Sequence, residues 1–388
     1  MTEIFRQLFP IGTYWSWLTF FMYLFAAVLV TELCKIGAAY LSVPTRHSFN
    51  PNRLFYFMAF VILVLLASLR TSDVGRDTSV YVNYFQQAVT FNYDIRNFFT
   101  FSDTEPAYFL YIYLLRRFTD SYTVYFIITY MWVAGAYISF IRSNFDDKSD
   151  YIFLQIFIFY YVSNMSGARS GIATGFLLFS LTALKKKHFL RALLLTVIAS
   201  TFHYTMLFNF FVIFIVWLFN KRKMINKKWI LAAVAAVMII IAKRDFTEFQ
   251  NFLKDTKYEY YSSVNMDERS LLGSIFILTT FLFCFIYYKK FALSSRSKMA
   301  LVPFLSTLSL AVVYPVIFIT GAYRIPYYYV LPRLAAWSEI HRFNKERLSK
   351  MTRVLYMSCE QLFVIMYLLF LFTRSSLDGN FEYHFIFG

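Results

Sequence analysis

Charge and cysteine are scarce in this sequence. Only 15% of its 388 residues are Asp, Glu, Lys or Arg, and 59% are hydrophobic, which leaves too little polar surface to clothe a domain folding in water. The three cysteines, Cys34, Cys284 and Cys359, lie far apart in or beside apolar stretches, which argues against a disulfide framework and against a zinc site. No linker rich in Pro, Gly or Ser interrupts the chain, and it holds no repeat or low-complexity tract. Residues 1–388 therefore read as a single integral membrane domain.

What is present in their place is apolar and aromatic. With 48 Phe and 31 Tyr, the composition is that of a lipid-facing surface with interfacial aromatic belts. Candidate spans lie at 13–31, 54–70, 121–141, 151–165, 169–184, 190–202, 204–219, 229–242, 271–288, 299–319, 325–340 and 354–373. The expected fold class is all-α: a polytopic transmembrane helical bundle of about 12 spans (range about 10–14) with short or re-entrant hairpins. A GT-C-like bundle is one form of that class. The first run is too long for a signal-peptide core, and no small-residue cleavage site follows it, so it reads as a span.

The formal net charge of +16 is not gathered into a nucleic-acid patch, and no nucleic-acid partner is expected. Basic residues cluster in alternate connectors: Arg46 and Arg53; Lys185 to Arg191; Lys221 to Lys228; Lys289 to Lys298; and Arg342 to Arg353. By the positive-inside rule these connectors face the cytoplasm. Connectors 71–105 and 243–270 then lie outside, the first as a loop with a polar motif and the second as an amphipathic loop. If the clusters on both sides of 190–219 are cytoplasmic, that stretch crosses outward and returns on two short legs. A leg of about fourteen residues spans roughly 21 Å, against a hydrocarbon thickness of about 30 Å. The tip Phe202-His203-Tyr204 is therefore expected below the outer surface, and so is the preceding tip, which ends in Arg169. Two recessed polar tips imply an outward-opening pocket.

An Arg near the bilayer centre costs about 2.5–3.5 kcal/mol on insertion scales, so a recessed Arg169 calls for an anion. A carboxylate on a neighbouring helix is one partner and a ligand phosphate is the other. The first outer loop adds Arg70, Asp73, Gly75, Arg76, Asp77, Thr78 and Tyr81, then Glu105 before Pro106. Gly75 permits a tight turn, and Asp77 or Thr78 is placed to cap the helix through Tyr81. An interfacial anchor with internal ion pairs is the alternative reading of this loop. Gly321 to Tyr329 form a further outer tip, aromatic through Tyr323, Tyr327, Tyr328 and Tyr329 and carrying Arg324, and Arg333 is expected to line the bundle interior.

In order and spacing, these motifs resemble the EpsG family of Wzy-like bacterial polysaccharide polymerases. They are a span ending in Arg70, Val74-Gly75-Arg76-Asp77-Thr78-Ser79-Val80-Tyr81, Glu105 before an aromatic helix, Arg169-Ser170-Gly171-Ile172-Ala173, and Phe202-His203-Tyr204. Members usually carry Gly-Thr-Asp or Gly-Ile-Asp at 75–77, and often Arg-Gln at 169–170. The resemblance implies a glycosyltransferase on the outer face of the bacterial cytoplasmic membrane, polymerising oligosaccharide repeat units carried on undecaprenyl diphosphate into exopolysaccharide or capsule. It further implies a metal-independent, inverting transfer with no cofactor, consistent with the lack of an HExxH motif, a glycine-rich nucleotide loop or an outer DxD pair. Membrane lipids, a chain-length regulator and a flippase of the same pathway are the other implied partners. The implied catalytic residues are Arg70, Asp77, Glu105, Arg169 and His203, with Asp77, Glu105 and His203 competing for the role of base. Arg76, Tyr81, Tyr204, Tyr323, Arg324 and Arg333 are the implied substrate-binding residues. A lipid-linked oligosaccharide flippase, an O-antigen-ligase-like transferase and a membrane acyltransferase are the alternatives.

Overall fold

Pro51 and Pro106 each open a helix, as expected where the missing N–H falls among groups that need no intrahelical partner. The computed structural model describes residues 17–41, 51–75, 77–89, 105–147, 149–220, 325–346 and 348–374. The expected spans 229–242, 271–288 and 299–319 and the loop 243–270 lie outside the described residues, as do Arg76, Tyr323 and Arg324. Among the described residues there are helices and no strand. They are α1 (Trp17–Leu41), α2 (Pro51–Ser68), α3 (Thr78–Gln87), α4 (Pro106–Arg116), α5 (Tyr122–Asn144), α6 (Phe157–Met165), α7 (Ala168–Lys185), α8 (Phe189–Phe202), α9 (Phe208–Asn220), α10 (Ile325–Tyr328), α11 (Val330–Lys345) and α12 (Lys350–Arg374). Short 3-10 turns at Ile152–Ile156 and Tyr204–Leu207 lead into α6 and α9.

Four stretches among these are long and apolar enough to cross a membrane: Leu18–Tyr40, Pro51–Ser68, Tyr122–Asn144 and Lys350–Leu369. The first continues well past the expected end at 31. The charges there do not stop the helix, because Glu32 and Lys35 pair across one turn at 3.2 Å on its exposed face. The expected span 325–340 is instead broken between α10 and α11. Pro332 explains the break. It has no N–H to offer the carbonyl of Tyr328, and its ring would crowd that carbonyl in a continuous helix. Helical bonding resumes with Arg333 N to Tyr329 O at 3.0 Å.

Helices form where the short legs were expected, α6 and α7 around one tip and α8 and α9 around the other. Helix α7 ends in a Schellman turn, with His188 N bonded to Ala183 O at 2.9 Å and Lys187 N to Leu184 O at 2.8 Å. Lys187 takes the left-handed position usually given to glycine, at φ 62, a cost of about 1 kcal/mol that the two bonds help to offset. The chain then returns as α8. Helix α7 packs on α5 through Gly171 and Gly175, a small-residue pair one turn apart. A Cβ at Gly175 would lie 2.6 Å from Trp132 Nε1, the nitrogen that donates to Ile172 O at 3.2 Å. A larger residue there would force the two helices apart.

A buried polar knot ties α7, α8, α9 and the α10–α11 junction together. Asn209, fully buried, donates through Nδ2 to Ser180 Oγ at 3.0 Å and to Thr196 Oγ1 at 2.8 Å, and its Oδ1 accepts from Tyr329 at 2.9 Å. In an apolar surrounding such bonds are worth about 0.6–2 kcal/mol each. They fix the register of four segments at once. At one end of the bundle, Lys185 donates to Ser143 O, Lys345 bridges Asp150 and Glu360 at 2.5 Å each, and Arg342 pairs with Glu339 and Asp146. The tips carrying Arg169 and His203 lie at the other.

Candidate active site

Two turns of chain deliver the first part of the site. Gly75, at φ 102, allows the turn after α2, and Thr78 Oγ1 donates back to Val74 O at 2.7 Å. Asp77 occupies the N-cap position of α3 but its side chain makes no capping bond; it stays half-buried. Helix α3 then turns Tyr81 inward, only 6% exposed. Glu105 precedes Pro106 and is extended (φ −67, ψ 141), as a residue before proline prefers to be. Although Glu105 is the N-cap residue of α4, its carboxylate does not cap the helix. It points into the protein, 3% exposed.

There it meets the tips that carry Arg169 and His203. Arg169 Nη1 donates to Glu105 Oε2 and Arg169 Nε donates to the Tyr81 hydroxyl at 3.4 Å, with the guanidinium 5.9 Å from the Tyr81 ring. His203 Nδ1 lies 2.9 Å from Glu105 Oε1, and His203 Nε2 lies 2.9 Å from the Tyr328 hydroxyl. Behind them, the Tyr108 ring sits edge-on to Tyr81 and its hydroxyl meets that of Tyr125 at 2.7 Å. Two donors, Arg169 and His203, thus converge on one carboxylate, and Tyr81 and Tyr328 each hold one of those donors in turn.

Electrostatics give the parts distinct roles. Burial pushes the Glu105 carboxyl upward, but the hydrogen bond from His203 and the charge of Arg169 outweigh it and hold the pKa at about 2. Glu105 is therefore ionised at neutral pH and a poor base; it is an acceptor that orients two donors. Because an ionised carboxylate can only accept, His203 Nδ1 carries a proton, and in the neutral ring Nε2 is left as the basic atom. Arg169 stands in the first turn of α7, where the helix dipole disfavours a cation, and Glu105 offsets that as well. Its side chain remains 24% exposed.

Of the two partners open to Arg169 in the sequence, the structure contains the carboxylate. Arg70 is placed elsewhere: fully buried, 4.6 Å from the Phe126 ring centroid and 5.0 Å from that of Tyr130, and donating to Ala67 O, to Met165 O at 2.6 Å and to the Tyr130 hydroxyl at 3.1 Å. It clamps the end of α6, three residues before α7 begins, and so positions the tip without touching the Glu105 cluster. Arg333 is also apart from the cluster, 4% exposed and 3.5 Å from the Tyr160 hydroxyl. Tyr204, 41% exposed, adjoins His203 on the outside. Tyr328, expected only as part of an aromatic tip, is the member that sequence reasoning did not assign to the site. The signal was Pro332, four residues on, which marks Tyr328 as the end of a turn. Among the described residues no group of three or more His, Cys, Asp or Glu side chains is gathered to hold a metal ion.

A buried carboxylate that aims a guanidinium and an imidazole toward one surface can stabilise an anionic leaving oxygen with the first and take a proton with the second. The EpsG family model matches residues 53–385, a stretch that contains the whole cluster. No curated protein and no solved structure matches the chain. The chain belongs to the EpsG family, a family of Wzy-like polysaccharide polymerases.

Proposed function

We propose that this membrane polysaccharide polymerase joins oligosaccharide repeat units carried on undecaprenyl diphosphate, at the outer face of a bacterial cytoplasmic membrane, with Arg169 and His203 as its catalytic residues. The observation that carries the reading is the convergence of Arg169 and His203 on the single buried carboxylate of Glu105. In the reaction, a hydroxyl oxygen of the acceptor sugar attacks the anomeric carbon of the growing chain and its proton passes to His203 Nε2. The bond from the anomeric carbon to the diphosphate breaks, and its electron pair stays on the departing oxygen. Arg169, already oriented by Glu105 and Tyr81, donates to that oxygen as its charge grows, so little reorganisation accompanies the step. Direct displacement inverts the anomeric centre and needs neither a protein nucleophile nor a metal. Glu105 acts on His203 as a carboxylate acts in a catalytic triad, setting tautomer and orientation.

A flippase is less well supported, since it would spread cationic groups along a central path. Among the described residues Arg169 and His203 sit together at one end, Lys185, Arg342 and Lys345 are held in contacts at the other, and the buried Arg70 and Arg333 are packed against Phe126, Tyr130 and Tyr160. The purified protein in liposomes, given lipid-linked repeat units, is expected to produce a ladder of polymers. Movement of the units across the bilayer with no ladder would favour the flippase and end this reading.

The orientation has its own test. With Cys34, Cys284 and Cys359 replaced by Ser, a cysteine at the exposed Asp73 should react with an impermeant thiol reagent in intact cells, and one at the exposed Lys187 should react only after the membrane is opened. The reverse pattern would place the site on the cytoplasmic side.

A further inference from the structure

His203 is held at both ring nitrogens, and the two partners differ in kind. Nδ1 faces an ionised carboxylate, whereas Nε2 faces a hydroxyl at 2.9 Å. A hydroxyl in that place is what the proposed reaction requires of the acceptor sugar, because a base must lie within about 2.6–3.2 Å of the oxygen whose proton it takes. Nε2 of a neutral imidazole has one lone pair and accepts one such hydrogen bond. The Tyr328 hydroxyl and an acceptor hydroxyl therefore cannot hold it together.

Resting on the polymerase reading, we propose that Tyr328 is a placeholder: its hydroxyl occupies the acceptor position on His203 between turnovers and is exchanged for the sugar hydroxyl when a repeat unit binds. The local structure suits an exchange. Tyr328 ends the one-turn helix α10, at the break that Pro332 imposes, and its ring stands edge-on to His203 at 5.9 Å, 3% exposed. The next residue, Tyr329, is anchored to Asn209, so the turn has a fixed base from which the Tyr328 side chain can swing. The capped nitrogen also explains how a transferase surrounded by water avoids hydrolysis. With Nε2 occupied by tyrosine, no water is activated there until a sugar displaces the cap.

Removing the cap should expose the side reaction. In it, a water oxygen attacks the anomeric carbon, its proton goes to His203 Nε2, and the diphosphate leaves with the electron pair of the broken bond. The probe is a lipid-linked repeat unit whose non-reducing sugar is fully methylated, able to donate but unable to accept. Tyr328→Phe and Tyr328→Met are each expected to release free reducing oligosaccharide about fivefold faster than the wild type, the factor for one neutral hydrogen bond. Adding His203→Ala to Tyr328→Phe should abolish the extra release. Ladder formation by the two single variants from the unmethylated unit shows that their sites are assembled. Release no faster than wild type from variants that form ladders overturns the placeholder while leaving the polymerase reading intact. Extra release that survives His203→Ala overturns it too. A wild-type protein that forms no ladder overturns the polymerase reading itself.

Discussion

Arg169→Lys is expected to stop polymer formation, lowering the rate about 10²–10³-fold, with the protein still inserted and folded. The guanidinium is stretched between two partners, Nη1 on Glu105 and Nε on the Tyr81 hydroxyl, and its planar fork presents further N–H groups in a fixed direction. Lysine keeps the charge and can reach Glu105. Its one nitrogen lacks the planar fork that reaches the carboxylate and the tyrosine from separate atoms while aiming a further N–H at a phosphate oxygen. The comparison needs the ladder-forming rate in liposomes at matched protein amounts, with unfolding temperature as the control for folding. Polymer of normal length at a normal rate from Arg169→Lys would remove this residue from the mechanism.

Glu105→Gln is expected to cost still more in rate, about 10³–10⁴-fold, because an amide can present its NH₂ to His203 and favour the wrong tautomer. It is also expected to lower folding stability by about 2 kcal/mol, the range for a hydrogen bond to a charged group, since the amide carries no charge for Arg169. The pH dependence carries a definite sign. A carboxyl held down to about 2 contributes its stability above the ordinary carboxylate range and loses it as the pH falls toward that value. The gap in unfolding temperature between wild type and Glu105→Gln should therefore persist at about pH 5 and close only on further acidification. A gap that closed between about pH 7 and pH 6 would show that Glu105 is not held in this way.

Much of this site was legible because it follows from leg length. Short legs between basic clusters put Arg169 and His203 at neighbouring tips, and that arithmetic needs no tertiary information. What lies across from a tip is a tertiary fact. The alternation of charge clusters leads to the expectation that Glu105 and both tips share one side of the membrane but does not aim the carboxylate, so the sequence left carboxylate and phosphate as open partners for Arg169. Arg70 shows the same limit. Its place at the end of α2 gives its depth, while its direction, inward onto Met165 O and the rings of Phe126 and Tyr130, depends on helices far along the chain. The break after Tyr328 was available from Pro332 and was passed over, because an apolar run of suitable length reads as one helix. The continuation of α1 past Glu32 was hidden for the opposite reason, since charges that satisfy each other across a turn look like an end.

Helix α7 has a mechanical consequence for the polymerisation cycle. It carries Arg169 near one terminus and Lys185 at the other, about 24 Å apart along a straight helix, and each is tethered, one to Glu105 and the other to Ser143 O, while Gly171 and Gly175 seat its middle against α5. A rod pinned at both ends and bedded along its length can neither piston nor roll. On the mechanism proposed above, the guanidinium is then a fixed point of the site, and the movement that admits each incoming unit falls to other segments.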